Sequence, residues 1–172
     1  MKSLFITLSA VLLAWSSVCY AQTQTEEEGD ETGRALPRMV SLRSSRINAR
    51  SGPGSRYPIE WVYQQKGAPV EIIEEFELWR KIKDWEGSET WVHKAMLSGR
   101  RFVRVTNPGL NNVYAKPEAD AKITARVEDG VVGEVDKCPA EAPDMCLIKF
   151  ERVQGWMPRN ALFGVYDDEV IK

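Results

Sequence analysis

Histidine and cysteine are nearly absent from this chain: His93 stands alone, and there are three cysteines in 172 residues. A histidine-based metal or acid–base site needs partners at defined spacings, and none accompanies His93, which reads as a surface or edge-strand residue. There is no C-x-x-C pair, and no Ser/His/Asp or Cys/His arrangement stands out. Gly52-Pro53-Gly54 lacks the Lys and Ser/Thr of a phosphate loop and introduces no helix, which argues against a nucleotide. The net charge of −2 gives no general reason to bind nucleic acid. No cofactor and no metal are expected, and no catalytic set is assigned. Glu71, Glu74 and Glu75 alternate with Ile72 and Ile73 and read as a solvated strand face rather than paired catalytic carboxylates.

Long apolar runs are also missing, with one exception. Met1-Lys2 gives a positive start, and Leu4 to Val18 is almost wholly apolar. Cys19-Tyr20-Ala21 then offers small residues where a signal peptidase reads, which places a cut between Ala21 and Gln22. The run is short for a membrane span, so a cleaved export signal over 1–21 is expected, with a retained anchor as the alternative. Export to a periplasmic or secreted location leaves Cys138 and Cys146 as an even pair in an oxidising compartment. The loop-like P-A-E-A-P-D-M between them favours a disulfide across its base. Two unpaired thiols on adjacent strands are the alternative.

Residues 22–36 carry Glu26, Glu27, Glu28, Asp30 and Glu31 with no apolar periodicity. Such a segment cannot bury enough surface to offset its ordering entropy, so it reads as a disordered acidic tether. From Pro37 onward the pattern is of short strands. Ile47 to Arg50 runs into Ser51-Gly52-Pro53-Gly54, where proline and glycine must end it in a loop. Ile59, Trp61 and Tyr63 recur with period two; Val70 to Phe76 is rich in β-branched residues; Leu78 to Trp85 alternates, with Trp79, Lys81, Lys83 and Trp85 on one parity. Glu86 to Glu89 closes a hairpin onto Thr90-Trp91-Val92-His93, and Ala95-Met96-Leu97 suits one 3₁₀ turn. Phe102, Val103 and Val105 would supply the strand that closes this first sheet. Short strands without an amphipathic helix indicate an all-β fold of small, strongly curved sheets.

Asn107-Pro108-Gly109 breaks the chain, and the pattern restarts. Asn112 to Pro117 follows Asn48 to Pro53 by about 64 residues, and Gly155-Trp156-Met157 follows Thr90-Trp91-Val92 by about 65. Two ends that match at nearly one spacing mark an internal duplication. The division expected is 37–105 and 106–172, with the second copy divergent. Six tryptophans are a high load for this length, and five lie beyond the apolar leader. In small cores a few large rings must supply much of the buried surface, and Trp91 and Trp156, each beside an aliphatic residue, suit that role.

Together N-A-R-S-G-P-G, L-W-R-K-I-K and T-W-V-H-K-A-M-L resemble the bacterial SH3-like (SH3b) family of exported small barrels. The resemblance implies two tandem SH3-like β-barrels without catalytic machinery. It implies a groove for extended peptide between the long loop and the distal hairpin. On this chain that suggests Tyr57 and Trp61 from the loop side and Trp85 from the hairpin, with Trp79 either groove or core. Arg50 and Arg56 would meet a carboxylate of the kind that cell-wall stem peptides carry. The partner implied is peptidoglycan or an envelope protein. The alternatives are a structural envelope protein whose rings are all core, or the targeting subunit of a wall-hydrolase complex. The second copy reads Y-A-K-P where the first has R-S-G-P, so its loop departs from the pattern.

Overall fold

A computed structural model describes residues 32–118 and 120–172. The expected signal segment and all but the last residues of the acidic tether lie outside this range. No α-helix occurs among the described residues; they form fourteen strands and two 3₁₀ turns.

The first half contains β1 (Arg38–Leu42), β2 (Ile47–Arg50), β3 (Ile59–Tyr63), β4 (Pro69–Phe76), β5 (Trp79–Lys83), β6 (Glu89–His93) and β7 (Leu97–Ser98). The second half contains β8 (Phe102–Val105), β9 (Leu110–Tyr114), β10 (Ile123–Glu128), β11 (Val132–Lys137), β12 (Met145–Lys149), β13 (Gln154–Pro158) and β14 (Leu162–Phe163). The first sheet runs β3-β2-β6-β5-β4-β1-β7, and the second β10-β9-β13-β12-β11-β8-β14. Adding seven to each strand number of the first order gives the second. The duplication read from two matching ends therefore extends through the whole topology. Each sheet wraps its own core. Leu42, Ile47, Val70, Ile72, Ile82 and Val92 gather in the first, and Val103, Val105, Val113, Ile148 and Met157 in the second. Each such fully buried chain contributes about 1.5–3 kcal/mol.

Several expectations need correction. Phe102–Val105 does not close the first sheet; it pairs with β11 and β14 of the second, where it stands as β1 stands in the first. The sheet changes between Ser98 and Phe102. Leu36, placed in the tether, packs against the first core. Val92 and Met157 take the core positions that Trp91 and Trp156 were expected to share. Trp91 is buried outside the apolar cluster, opposite Arg50 and Lys81, and Trp156 is half-buried with the Lys137 Nζ 5.7 Å from its ring. Alternation reveals that neighbours face opposite ways, but not which face is inside.

The acids of β4 are not one solvated face. The register shifts between Ile72 and Glu74, so Ile72 sits opposite Ile82 and Glu75 opposite Arg80. The extra residue of this bulge puts Ile72 and Glu75 on the same inward side, although they are an odd number of positions apart. Glu75 is 1% exposed at its side chain and ion-pairs with both Arg80 and Arg38.

The two sheets meet through polar contacts. Arg104 Nη1 of β8 donates to Gln65 Oε1 (2.7 Å) and Gly130 O (2.9 Å), and its guanidinium lies 4.3 Å from the Trp85 ring centroid. Tyr166 donates its hydroxyl to Glu71 Oε1 at 2.9 Å. Burial and that bond to Glu71 push the Tyr166 hydroxyl above the ordinary tyrosine range. Gly164, at φ +120°, sits where an added Cβ would meet Phe102 O at 2.4 Å and the Pro69 Cβ at 2.9 Å, so no other residue fits the junction. Arg104→Ala removes one charge-assisted hydrogen bond and one cation–π contact between the halves, those to Gln65 and Trp85, with an expected loss of about 2–4 kcal/mol of coupling. Calorimetry checks this: the variant should unfold in two resolved steps where the parent unfolds in fewer.

Candidate functional site

The long loop Ser51 to Pro58 is closed by its own chain. Ser51 N donates to Pro58 O (3.1 Å), Tyr57 N to Gly54 O (3.2 Å), and Arg50 Nη1 to Tyr57 O (2.6 Å). Tyr57 explains the glycines. A Cβ on Gly52 would stand 2.5 Å from one edge of its ring, and a Cβ on Gly54 3.2 Å from the other. The ring is seated between two residues without side chains, and Arg56 lies over it at 5.2 Å. Tyr57 thus shapes the loop from within.

Across from this loop, β4 and β5 are joined through Glu77 and Leu78. Glu77 has φ 48°, the left-handed conformation of a tight turn. The turn leaves Phe76 46% and Leu78 48% exposed. Directly after it, Trp79 pairs with His93 in the β5–β6 ladder. Their rings meet edge to face at 5.5 Å between centroids, a favoured aromatic geometry. The His93 ring is held from behind, because Nδ1 accepts from Ala95 N at 3.2 Å and caps the 3₁₀ turn Lys94–Met96.

This pair of rings forms a wall shared by two clefts. One, of about 360 Å³, is lined by Arg46, Asn48, Arg50, Trp79, His93 and Met96. The other, of about 590 Å³, runs between the long loop at Pro53, Gly54 and Arg56 and the turn at Phe76 and Leu78. Aromatic faces, apolar rims and guanidinium groups therefore converge on one side of the first barrel. A wider depression of about 730 Å³ lies between Lys66 and the second barrel. Arg104 and Gly130 on its wall are engaged in the junction, so the two-ring cleft is the stronger candidate.

The expected site residues are distributed unevenly about this groove. Arg50 and Arg56 line it. Tyr57 supports the loop beside it. Trp61 lies on the edge strand β3, 54% exposed, and lines neither cleft. Trp85 is turned away altogether. Its ring packs against the first core, edge to face with Tyr63 at 6.1 Å and under Arg104. Asp84 sets that direction: Oδ2 accepts from the Tyr63 hydroxyl at 3.0 Å, and Oδ1 from the Glu86 and Ser88 amides, each at 3.0 Å. Burial drives the Tyr63 hydroxyl above its usual range, and the Asp84 carboxylate adds to that. Sequence reasoning missed Phe76, Leu78 and His93. The apolar residues flanking the Glu77 turn were the available signal. The Trp79–His93 contact needed the strand pairing.

The same positions in the second barrel are different. Met145 pairs with Pro158 where Trp79 pairs with His93. The two-residue turn is replaced by Cys138 to Asp144, closed by the expected Cys138–Cys146 disulfide with Cα atoms 4.3 Å apart. A crosslink over so short a loop contributes roughly 2–3 kcal/mol by chain entropy. Arg159 binds this loop to the C-terminal segment. Its N donates to Asp144 O (2.8 Å), its Nε to Pro143 O (2.8 Å) and its Nη1 to Glu169 O (3.0 Å) and Tyr166 O. Among the described residues, no group of three or more His, Cys, Asp or Glu gathers to hold a metal.

No curated protein matches this chain. Two solved structures resemble it weakly, NlpC2 and NlpC1 from Trichomonas vaginalis. They are 13% and 12% identical, cover 76% and 78% of this chain, and have TM-scores of 0.33 and 0.32. The chain spans about half the length of each, 49% and 48%, and at such scores neither bears on the site. The family model of the bacterial SH3 domain, in contrast, matches residues 43–99 and again 108–164. With two matches covering more than half of the sequence and two sheets of identical strand order, the chain belongs to the bacterial SH3 domain family.

Proposed function

We propose that this chain is an exported, non-catalytic binding module whose first barrel holds an extended peptide of the cell wall, or of an envelope protein, in the groove beside Trp79. The observation that carries this reading is the Trp79–His93 wall shared by two clefts. Flat rings accept an extended chain at little entropic cost, as in other grooves that bind peptides. Arg46, Arg50 and Arg56 supply charge for a peptide carboxylate. The apolar run from Leu4 to Val18 supports export. In an assembly protein whose rings are all core, the exposure of Phe76 on the rim of the groove has no explanation.

Retention of the mature chain on purified cell-wall sacculi tests the reading. The Phe76→Ala/Trp79→Ala variant should lose about thirtyfold in affinity, the effect of a central aromatic contact of about 2 kcal/mol. Trp61→Ala should retain parental binding. Equal retention of the parent and the double variant, with both folded by circular dichroism, would count against the groove.

A further inference from the structure

A separate cleft opens on the far side of the 3₁₀ turn that follows His93. It measures about 350 Å³, and Arg34, Arg38, Arg43, Arg80 and Lys94 line it above an apolar floor of Val40, Ile72 and Leu97. None of its described lining residues is acidic. Such a gathering is unexpected in a chain of net charge −2. Glu75 ion-pairs with Arg38 and Arg80 from behind, and an anion entering the cleft would add a partner for the charge of Arg43 and Lys94.

Arg80 makes the site a built one. Its side chain is 4% exposed and still lines the cleft. Nε is held by Glu75 at 2.7 Å, and Nη1 donates to Glu77 O (3.0 Å) and Trp79 O (2.6 Å). These bonds fix the plane of the guanidinium and leave Nη2 for a ligand. Arg43 is anchored in the same way, its Nε donating to Leu97 O at 3.1 Å, so its terminal nitrogens remain available. Lys94, exposed at the rim, adds a mobile charge. Fixed guanidinium forks beside an ammonium suit the paired oxygens of carboxylates and phosphates.

We propose that this cleft is an oxyanion site for an extended polyanion, distinct from the peptide groove. Clustered carboxylate or phosphate groups are the chemistry recognised. One source is within the chain. Glu26, Glu27, Glu28, Asp30 and Glu31 immediately precede Thr32, which itself lines the cleft. At no more than about 3.6 Å per residue, all five acids lie within roughly 25 Å of it. A tether that short gives the acidic run an effective concentration on the order of millimolar. A free polyanion is the other source, and it would compete with the run.

Isothermal titration of the mature chain with inorganic tripolyphosphate at low salt tests this. The cleft variant is Arg43→Gln/Lys94→Gln, both exposed and outside either core. The tether variant carries Glu26→Gln, Glu27→Gln, Glu28→Gln, Asp30→Asn and Glu31→Gln. Tripolyphosphate should bind the tether variant, and adding the cleft substitutions should weaken that binding at least tenfold. If the acidic run is the resident ligand, the parent binds at least tenfold more weakly than the tether variant. If the ligand comes from outside, the two bind equally. Absence of binding to both parent and tether variant, or affinity unaffected by the cleft substitutions, overturns the proposal.

Discussion

Glu75→Ala should destabilise the first barrel by about 3–5 kcal/mol, the amount expected when one partner of a buried ion pair is removed. The carboxylate is 1% exposed and serves two guanidiniums, of which Arg80 is 4% exposed. Without it, Arg80 keeps its charge, because arginine does not deprotonate in proteins, and it has only the carbonyls of Glu77 and Trp79 as partners. Replacing both members of the cross-strand pair should be milder. Glu75→Leu/Arg80→Met presents two apolar chains where Ile72 and Ile82 already pack, and it should recover most of the loss. Urea unfolding followed by tryptophan fluorescence measures both. A loss below about 1 kcal/mol for Glu75→Ala would mean that the pair is hydrated.

Arg159→Met should have the second-largest effect, about 2–4 kcal/mol localised in the second barrel. Arg159 is 6% exposed and its side chain donates to three carbonyls from two segments, one in the disulfide loop and one near the C-terminus. Methionine keeps the bulk of the stem but donates nothing, and each carbonyl left without a partner costs about 1–3 kcal/mol where water cannot reach. The loop Cys138 to Cys146 would remain crosslinked and paired with Ile171, while the side-chain bonds from Arg159 to Tyr166 and Glu169 are lost. Limited proteolysis should therefore cut after Tyr166 in the variant much faster than in the parent. Unchanged cleavage would show that the pairing of Cys138 with Ile171 and the bonds of Arg101 to Glu169 and Gly164 hold the segment without Arg159.

These two residues mark where the sequence was legible and where it was not. The strands, the two copies and the disulfide were readable because they rest on local signals: period-two alternation, glycine and proline breaks, and a cysteine pair after an apolar leader. Glu75 was misread because a bulge reverses parity partway along β4, and nothing in V-E-I-I-E-E-F marks the extra residue. Phe102–Val105 was given to the wrong sheet because a strand beside a linker looks the same whichever partner it takes. The groove was half legible. Arg50 and Arg56 lie in a loop whose punctuation is plain. Trp79 and His93 are far apart in sequence and meet only through the register of β5 on β6. Trp85 looked like a hairpin aromatic, yet the Asp84 bonds turn it toward the junction.

One barrel keeps an open aromatic groove, while the other has Met145, Pro158 and a crosslinked loop in the matching place. The direct test is a titration of the ¹⁵N-labelled mature chain with solubilised cell-wall muropeptides, followed through the indole and backbone resonances. The account predicts shifts at Trp79, His93 and the Ser51 to Pro58 loop, with Trp85 and Trp156 unmoved. Shifts centred on Trp156 and the second barrel, or none at saturating ligand, would contradict it.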